Sequence, residues 1–173
     1  MPFVIVDKVD AKVFVFAPAG HLTGASAALM GSARGDDSAP GIDDKKISEI
    51  TPDERTTPAG RFLGERGVNT NREDIVWVDY DAAVSIHAVR PNNPRRRLQR
   101  LASPAPADNR ISYGCINVPL NFFRTVVAPA FTGTHGVVYV LPEMRPAQVV
   151  FGSYDVPASA PDAASPMALV EQR

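Results

Sequence analysis

Short runs of β-branched and aromatic residues, each cut off by turn residues, govern what this chain can become. FVIVD (3–7) and KVFVF (12–16) stand a few polar residues apart, the spacing of a hairpin. The second run ends in APAGHL, where Gly20 suits a turn, and LTGASAALM follows, so this opening predicts an antiparallel meander. IVWVDY (75–80) and AAVSIHAV (82–89) are the most strand-like stretches, with Trp77 expected in the core, and GVVYVLPE (136–143) supplies a last strand. Helical pattern is confined to two short places. Pro94, with Asn93 as cap, opens a helix in which Leu98 and Leu101 share a face, and Pro104 and Pro106 stop it. Pro119 opens a second, with Leu120, Phe123, Val127 and Ala130 on one side and Pro129 at its end. The pattern predicts a mainly β fold with a few short α-helices.

The length, 173 residues with 45% apolar, suits a single domain with a real core. A net charge of −1 provides no global field for nucleic acid or an anionic membrane, and no apolar run reaches membrane-spanning length. A single cysteine excludes an internal disulfide and a cysteine-rich zinc site, and no cofactor or metal is expected. MPFVIVDKVD lacks the basic start and long apolar stretch of a secretory signal. Residues 32–57 carry Asp36, Asp37, Asp43, Asp44, Glu49, Asp53 and Glu54, and are expected to form a solvated surface loop with a short helical turn. Their spacing fits no calcium loop, and Lys45 and Lys46 sit among them. Residues 153–173, rich in Ala, Pro and Ser without periodicity, are expected to be a loosely packed tail behind a folded unit of residues 1–152.

The one thiol lies in SYGCIN (112–117). Cys115 is either a small apolar filler or a nucleophile, and a nucleophilic thiol needs a base that lowers its pKa. His21 lies by a turn glycine and His135 in a TGTHG loop, both positions expected to be exposed. His87, late in the strand SIHAV, sits where a rigid scaffold aims an imidazole, although a hydrogen-bonded core histidine fits the same pattern. Gly114 removes a side chain beside the thiol, and the turn through Ser112, Tyr113 and Gly114 directs successive amides at one spot, as an oxyanion hole requires.

S-x-G-C-I-N with an upstream strand histidine resembles the active site of the L,D-transpeptidase catalytic domain, the YkuD family. SIHAV supplies His87, and SYGCIN supplies Ser112, Gly114, Cys115, Ile116 and Asn117. A Thr-Pro-x-Gly-x-Phe segment typical of that family is present as Thr57, Pro58, Ala59, Gly60, Arg61 and Phe62. The likeness covers roughly residues 3–142. There are two departures. Tyr113 stands where the family usually has histidine, and 28 positions (115 − 87) separate His87 from Cys115, more than the family's usual gap. The added length holds RPNNPRRRLQR and is expected to form an enlarged lid.

The resemblance implies a β-sandwich or barrel-like YkuD-type fold and a cysteine acyltransferase acting on peptidoglycan stem peptides. His87 would take the proton of Cys115, oriented by the backbone carbonyl of Ala88, and the amides of Tyr113 and Gly114 would form the oxyanion hole. The thioester would release D-Ala and then pass to an amine. Ser112, Asn117 and Arg110 are the expected substrate-binding residues, Arg110 as the best placed of a basic set with Arg90, Arg95, Arg96, Arg97 and Arg100. A solvated helix face is the plainer reading of Arg95–Arg97. Cys115 becomes a candidate for a carbapenem adduct. The implied location is the periplasm or cell envelope, with an export signal expected upstream of this sequence. Two rivals stand beside this reading: resolution of the same acyl-enzyme by water, as in an L,D-carboxypeptidase or murein hydrolase, and a non-catalytic wall-binding domain on the same fold. A papain-like protease has the opposite order of cysteine and histidine.

Overall fold

The computed structural model describes residues 1–89 and 94–154. Its strands are β1 (Phe3–Asp7), β2 (Lys12–Phe16), β3 (Leu22–Ala27), β4 (Met30–Gly31), β5 (Gly60–Val68), β6 (Asp74–Asp79), β7 (Val84–Ala88), β8 (Arg110–Ser112), β9 (Ile116–Val118) and β10 (Gly136–Val140). The helices are short: α1 (Pro94–Leu101), α2 (Leu120–Phe122), α3 (Ala128–Ala130) and α4 (Ala147–Phe151), with a π turn (Phe123–Val127) joining α2 to α3.

One eight-stranded sheet runs in the order β3-β2-β1-β10-β5-β6-β7-β9, and β4 pairs with β8 beside it. The opening meander β1-β2-β3 is antiparallel, as its hairpin spacing predicts, whereas β1 with β10 and β7 with β9 are parallel. The two ends of the sheet converge. Leu29, just past β3, exchanges two backbone hydrogen bonds of 2.8 Å with Asn117 of β9. The result is a mainly β, near-barrel fold.

Alternation along the strands fills the interior. Val4, Val6, Val13 and Val15 are fully buried, while their neighbours Phe3 and Phe16 stack outside with ring centroids 4.6 Å apart. Val76, Val78, Val84, Ile86, Ile116, Val118, Val138 and Val140 complete the inner face. Each such side chain contributes about 1.5–3 kcal/mol on burial. Phe123, Val127, Ala128 and Phe131 pack against it from the helical segment. Phe131 sits where a Cβ on Gly64 or Gly136, paired residues of β5 and β10, would meet it at 2.8 or 2.7 Å. That seat requires bare backbone on both strands.

Several expectations are corrected. Trp77 is half-buried, because Val76 and Val78 hold the inward positions of β6 and leave it on the outer face beside Tyr80. Leu120 is exposed, while Phe123 and Val127 are buried as expected, Ala130 packs partly buried against the core, and Phe131 is buried beside it. Leu98 is half-exposed while Leu101 is buried. Residues 32–57 include two 3₁₀ turns, Ile47–Glu49 and Pro52–Glu54, but are not solvated throughout. Asp36 is buried against Lys8, Nζ to Oδ1 2.8 Å. Arg90, the Asn93 cap and most of the expected tail (residues 155–173) lie outside the described residues.

Candidate active site

The register of β7 against β9 builds the site. His87 stands opposite Asn117, and Ile86 opposite Ile116. With Val84, Ile86, Ile116 and Val118 in the core, alternation turns Ser85, His87 and Asn117 to the other face, and Cys115 joins them from the residue before β9. His87 Nδ1 donates to the Ala88 carbonyl at 2.8 Å. That contact places the ring proton on Nδ1 and leaves Nε2 as the acceptor, 3.1 Å from Asn117 Nδ2.

Cys115 is partly exposed. Its Sγ lies 3.6 Å from the Ala83 carbonyl and 3.7 Å from Ser85 Oγ. Burial pushes the thiol pKa up. The nearby His87 imidazole, with the Ser85 amide and hydroxyl, outweighs that and holds it below the usual thiol value. A partly exposed thiol with a depressed pKa beside an imidazole is equipped to act as a nucleophile.

The turn that presents it is fastened from beneath. Ser112 Oγ donates to the Cys115 carbonyl at 2.6 Å and accepts the Gly114 amide at 3.1 Å. Gly114 has φ +133°, and a Cβ there would lie 2.8 Å from the Thr56 carbonyl oxygen. Thr57 Oγ1 donates to the Gly114 carbonyl at 2.7 Å and accepts the Gly31 amide at 2.9 Å. Lys8 Nζ in turn donates to the Thr57 carbonyl at 2.9 Å and to Asp36. Asp36 also accepts the amides of Glu143, Met144 and Arg145. Burial raises the Asp36 pKa, but Lys8 and these amides overcome it and hold the carboxyl well below the usual carboxylate range.

The structure gathers His87, Ala88, Cys115, Asn117, Ser112 and Gly114 into one place and directs some of them inward. Ser112 and Asn117, expected to meet substrate, are 3% and 1% exposed, and their polar atoms hold the turn and the histidine instead. The Gly114 amide faces Ser112 Oγ rather than an oxyanion. Arg110 is turned away to Glu143 Oε2 at 2.5 Å and the Lys8 carbonyl at 2.9 Å, so its guanidinium is engaged in the buried charge cluster. Tyr113 is exposed, with the Arg55 guanidinium 4.1 Å from its ring centroid. His21 and His135 are exposed.

Four contributors escaped the sequence reading. Ser85, two residues before His87, shares its strand face, and period-two alternation was the available signal. Thr57 belonged to a quoted segment, but nothing local tells of its hydrogen bond to Gly114. Lys8 carries no local signal at all. Arg97 Nη1 donates to Asn117 Oδ1 at 2.5 Å from α1, which lies over the site. Its spacing of four from the buried Leu101 marks the inward face of that helix, whereas Arg95 and Arg96 are exposed. Among the described residues no three His, Cys, Asp or Glu side chains cluster as metal ligands, and no helix is long and apolar enough to cross a membrane.

No protein-family model matches the sequence, and no curated protein is similar to it. Solved structures do share the architecture. The helical cell shape determining protein Pgp2 from Campylobacter jejuni superposes with a TM-score of 0.56 at 14% identity, over 86% of this chain and 51% of Pgp2. The chain thus spans about half the length of the Pgp2 structure it resembles. L,D-transpeptidases are among the other similar structures. The one from Xylanimonas cellulosilytica has a TM-score of 0.47 at 12% identity, over 80% of this chain and 59% of that one. The catalytic domain from E. faecium has 0.45 at 17%, over 82% and 97%.

Proposed function

We propose that this chain is a cysteine acyltransferase of the L,D-transpeptidase (YkuD) family, acting on peptidoglycan stem peptides in the cell envelope. The observation that carries this reading is the partly exposed Cys115 thiol, its pKa drawn down by a histidine whose far nitrogen is fixed on a backbone carbonyl. The fold shared with the helical cell shape determining protein Pgp2 supports a role at the wall.

In this reading His87 Nε2 takes the Cys115 proton, leaving a thiolate beside an imidazolium. The thiolate attacks the stem carbonyl between an L-configured centre and a terminal D-Ala. The Tyr113 and Cys115 amides receive the oxyanion, since the Gly114 amide is engaged with Ser112. The C–N bond breaks, His87 returns its proton to the departing D-Ala amine, and the thioester is resolved by an amine of a second stem. Water as acceptor gives the carboxypeptidase alternative, and nothing at the thiol distinguishes the two acceptors.

The test is to incubate the protein with a disaccharide-tetrapeptide stem and a carbapenem in separate arms, and to read both by mass spectrometry. Cross-linked dimers are expected from the first and a covalent adduct on Cys115 from the second. Tripeptides without dimers would establish the hydrolase. No product and no adduct would leave a wall-binding domain.

A further inference from the structure

Asn117 is held between two groups with opposite demands, and only one orientation of its amide meets both. A carboxamide has one accepting oxygen and one donating NH₂. Arg97 can only donate, and its Nη1 lies 2.5 Å from Oδ1. The NH₂ therefore faces the other way, 3.1 Å from His87 Nε2 and 3.4 Å from the Cys115 carbonyl. His87 carries its proton on Nδ1, toward Ala88. The Nε2 lone pair taken by Asn117 is the one that must receive the thiol proton. Protonating Nε2 with the amide so placed sets two N–H groups against each other. Turning the amide over brings Oδ1 to the imidazolium, but then sets its NH₂ against the Arg97 guanidinium. The amide can turn only after Arg97 has moved.

We infer that Arg97 is a latch: through Asn117 it keeps His87 neutral, and a substrate carboxylate that draws the guanidinium away lets the amide turn and the thiolate–imidazolium pair form. The carboxylate-bearing acyl donor is taken from the proposed function, and the inference rests on that reading for its trigger alone. Arg97 is half-buried on a helix that Arg100 separately pins to the Asp108 and Arg110 carbonyls, so α1 has a second hold that does not pass through Asn117. Arg97 is thus a positioning residue, acting on the base through Asn117 and making activation depend on an anionic ligand.

The test uses the sole thiol. The rate of Cys115 alkylation by neutral iodoacetamide is followed against pH, and its midpoint reports thiolate formation. Among the described residues the ionisable groups facing this network are His87 on β7 and, through Asn117, Arg97 on α1, with Arg55 against the Tyr113 ring. Removing a nearby cation by charge alone would raise the midpoint. The latch demands the opposite. Arg97→Ala lowers the midpoint by about one unit, roughly tenfold more thiolate at a given pH below it, and Arg97→Lys restores the wild-type profile. Saturating N-acetyl-D-alanine shifts the wild-type midpoint the same way and leaves Arg97→Ala unmoved. A midpoint that rises or stays put in Arg97→Ala overturns the latch. So does faster alkylation at every pH with no change of midpoint, the signature of a lid that merely blocks access. A wild type indifferent to N-acetyl-D-alanine overturns the release step. None of these readouts requires turnover, so a shifted midpoint in a protein that makes no stem products would refute the proposed function and leave the latch standing.

Discussion

His87 and His135 each stand near polar or ionisable partners, and only one of them is held in a buried network. His135 lines a surface hollow of about 400 Å³ with Glu65, Arg66 and Thr132. Its Nε2 is 3.7 Å from Glu65 Oε2, with both side chains more than half exposed, and the neighbouring Arg66–Asp74 pair is also open to water. His87 is far more constrained: 7% exposure, a backbone carbonyl on one nitrogen, and an amide at the other. What separates them is desolvation and a scaffold that leaves each polar atom a single partner geometry.

The comparison breaks first at the reacting pair. Cys115→Ala and His87→Ala are each expected to abolish stem turnover, a loss of at least about 10³-fold, with the melting transition retained. Cys115→Ser is expected to be nearly as damaging, because an alkoxide forms far less readily than a thiolate. Full turnover by either alanine variant would remove His87 from its privileged place.

Next in size is the support below the turn. Lys8→Met removes the 2.8 Å ion pair of the buried Asp36 and leaves it only the Arg145 guanidinium at 3.8 Å, at a cost of about 3–5 kcal/mol, measured by denaturant unfolding. Asp36 also gives the stability a pH dependence of known sign. Its folded-state pKa lies below the unfolded value, so its contribution is complete above about pH 4 and is lost as pH falls toward the folded-state value. Asp36→Asn should flatten that acid limb, and an unchanged limb would place the acid sensitivity elsewhere. Thr57→Val strands the Gly114 carbonyl and the Gly31 amide, costing about 1–3 kcal/mol. It is expected to lower kcat more than it raises KM, because it loosens the turn and leaves the cleft mouth intact.

The smallest effect sharpens the contrast from the other side. His135→Ala and Arg66→Ala should change stability by less than about 1 kcal/mol and leave turnover unaltered. A large loss in either would mean that the hollow at His135 takes part in the reaction after all.

Much of this was readable along the chain. Local alternation decides which residues of a strand share a face, so FVIVD, KVFVF and SIHAV located strands and placed His87 on a rigid one. The order of His87, then SYGCIN, marked a candidate base and thiol, which the fold brings to one face of the sheet. Trp77 shows the limit, since alternation alone does not say which face of β6 looks inward until Val76 and Val78 are seen in the core.

The amino-acid pattern by itself determined the strand-rich architecture, because strand faces depend on side chains one or two positions apart, and it marked His87 and Cys115 as the candidate pair. Only the closed fold decided that Asn117 would lie against an imidazole 30 positions away, that Arg97 rather than Arg95 or Arg96 would reach it, and that Lys8 would end buried beneath the turn. Those partners meet through the parallel register of β7 with β9 and the convergence of the sheet ends at Leu29. Such contacts form between segments remote in sequence, and no local preference of either segment encodes them.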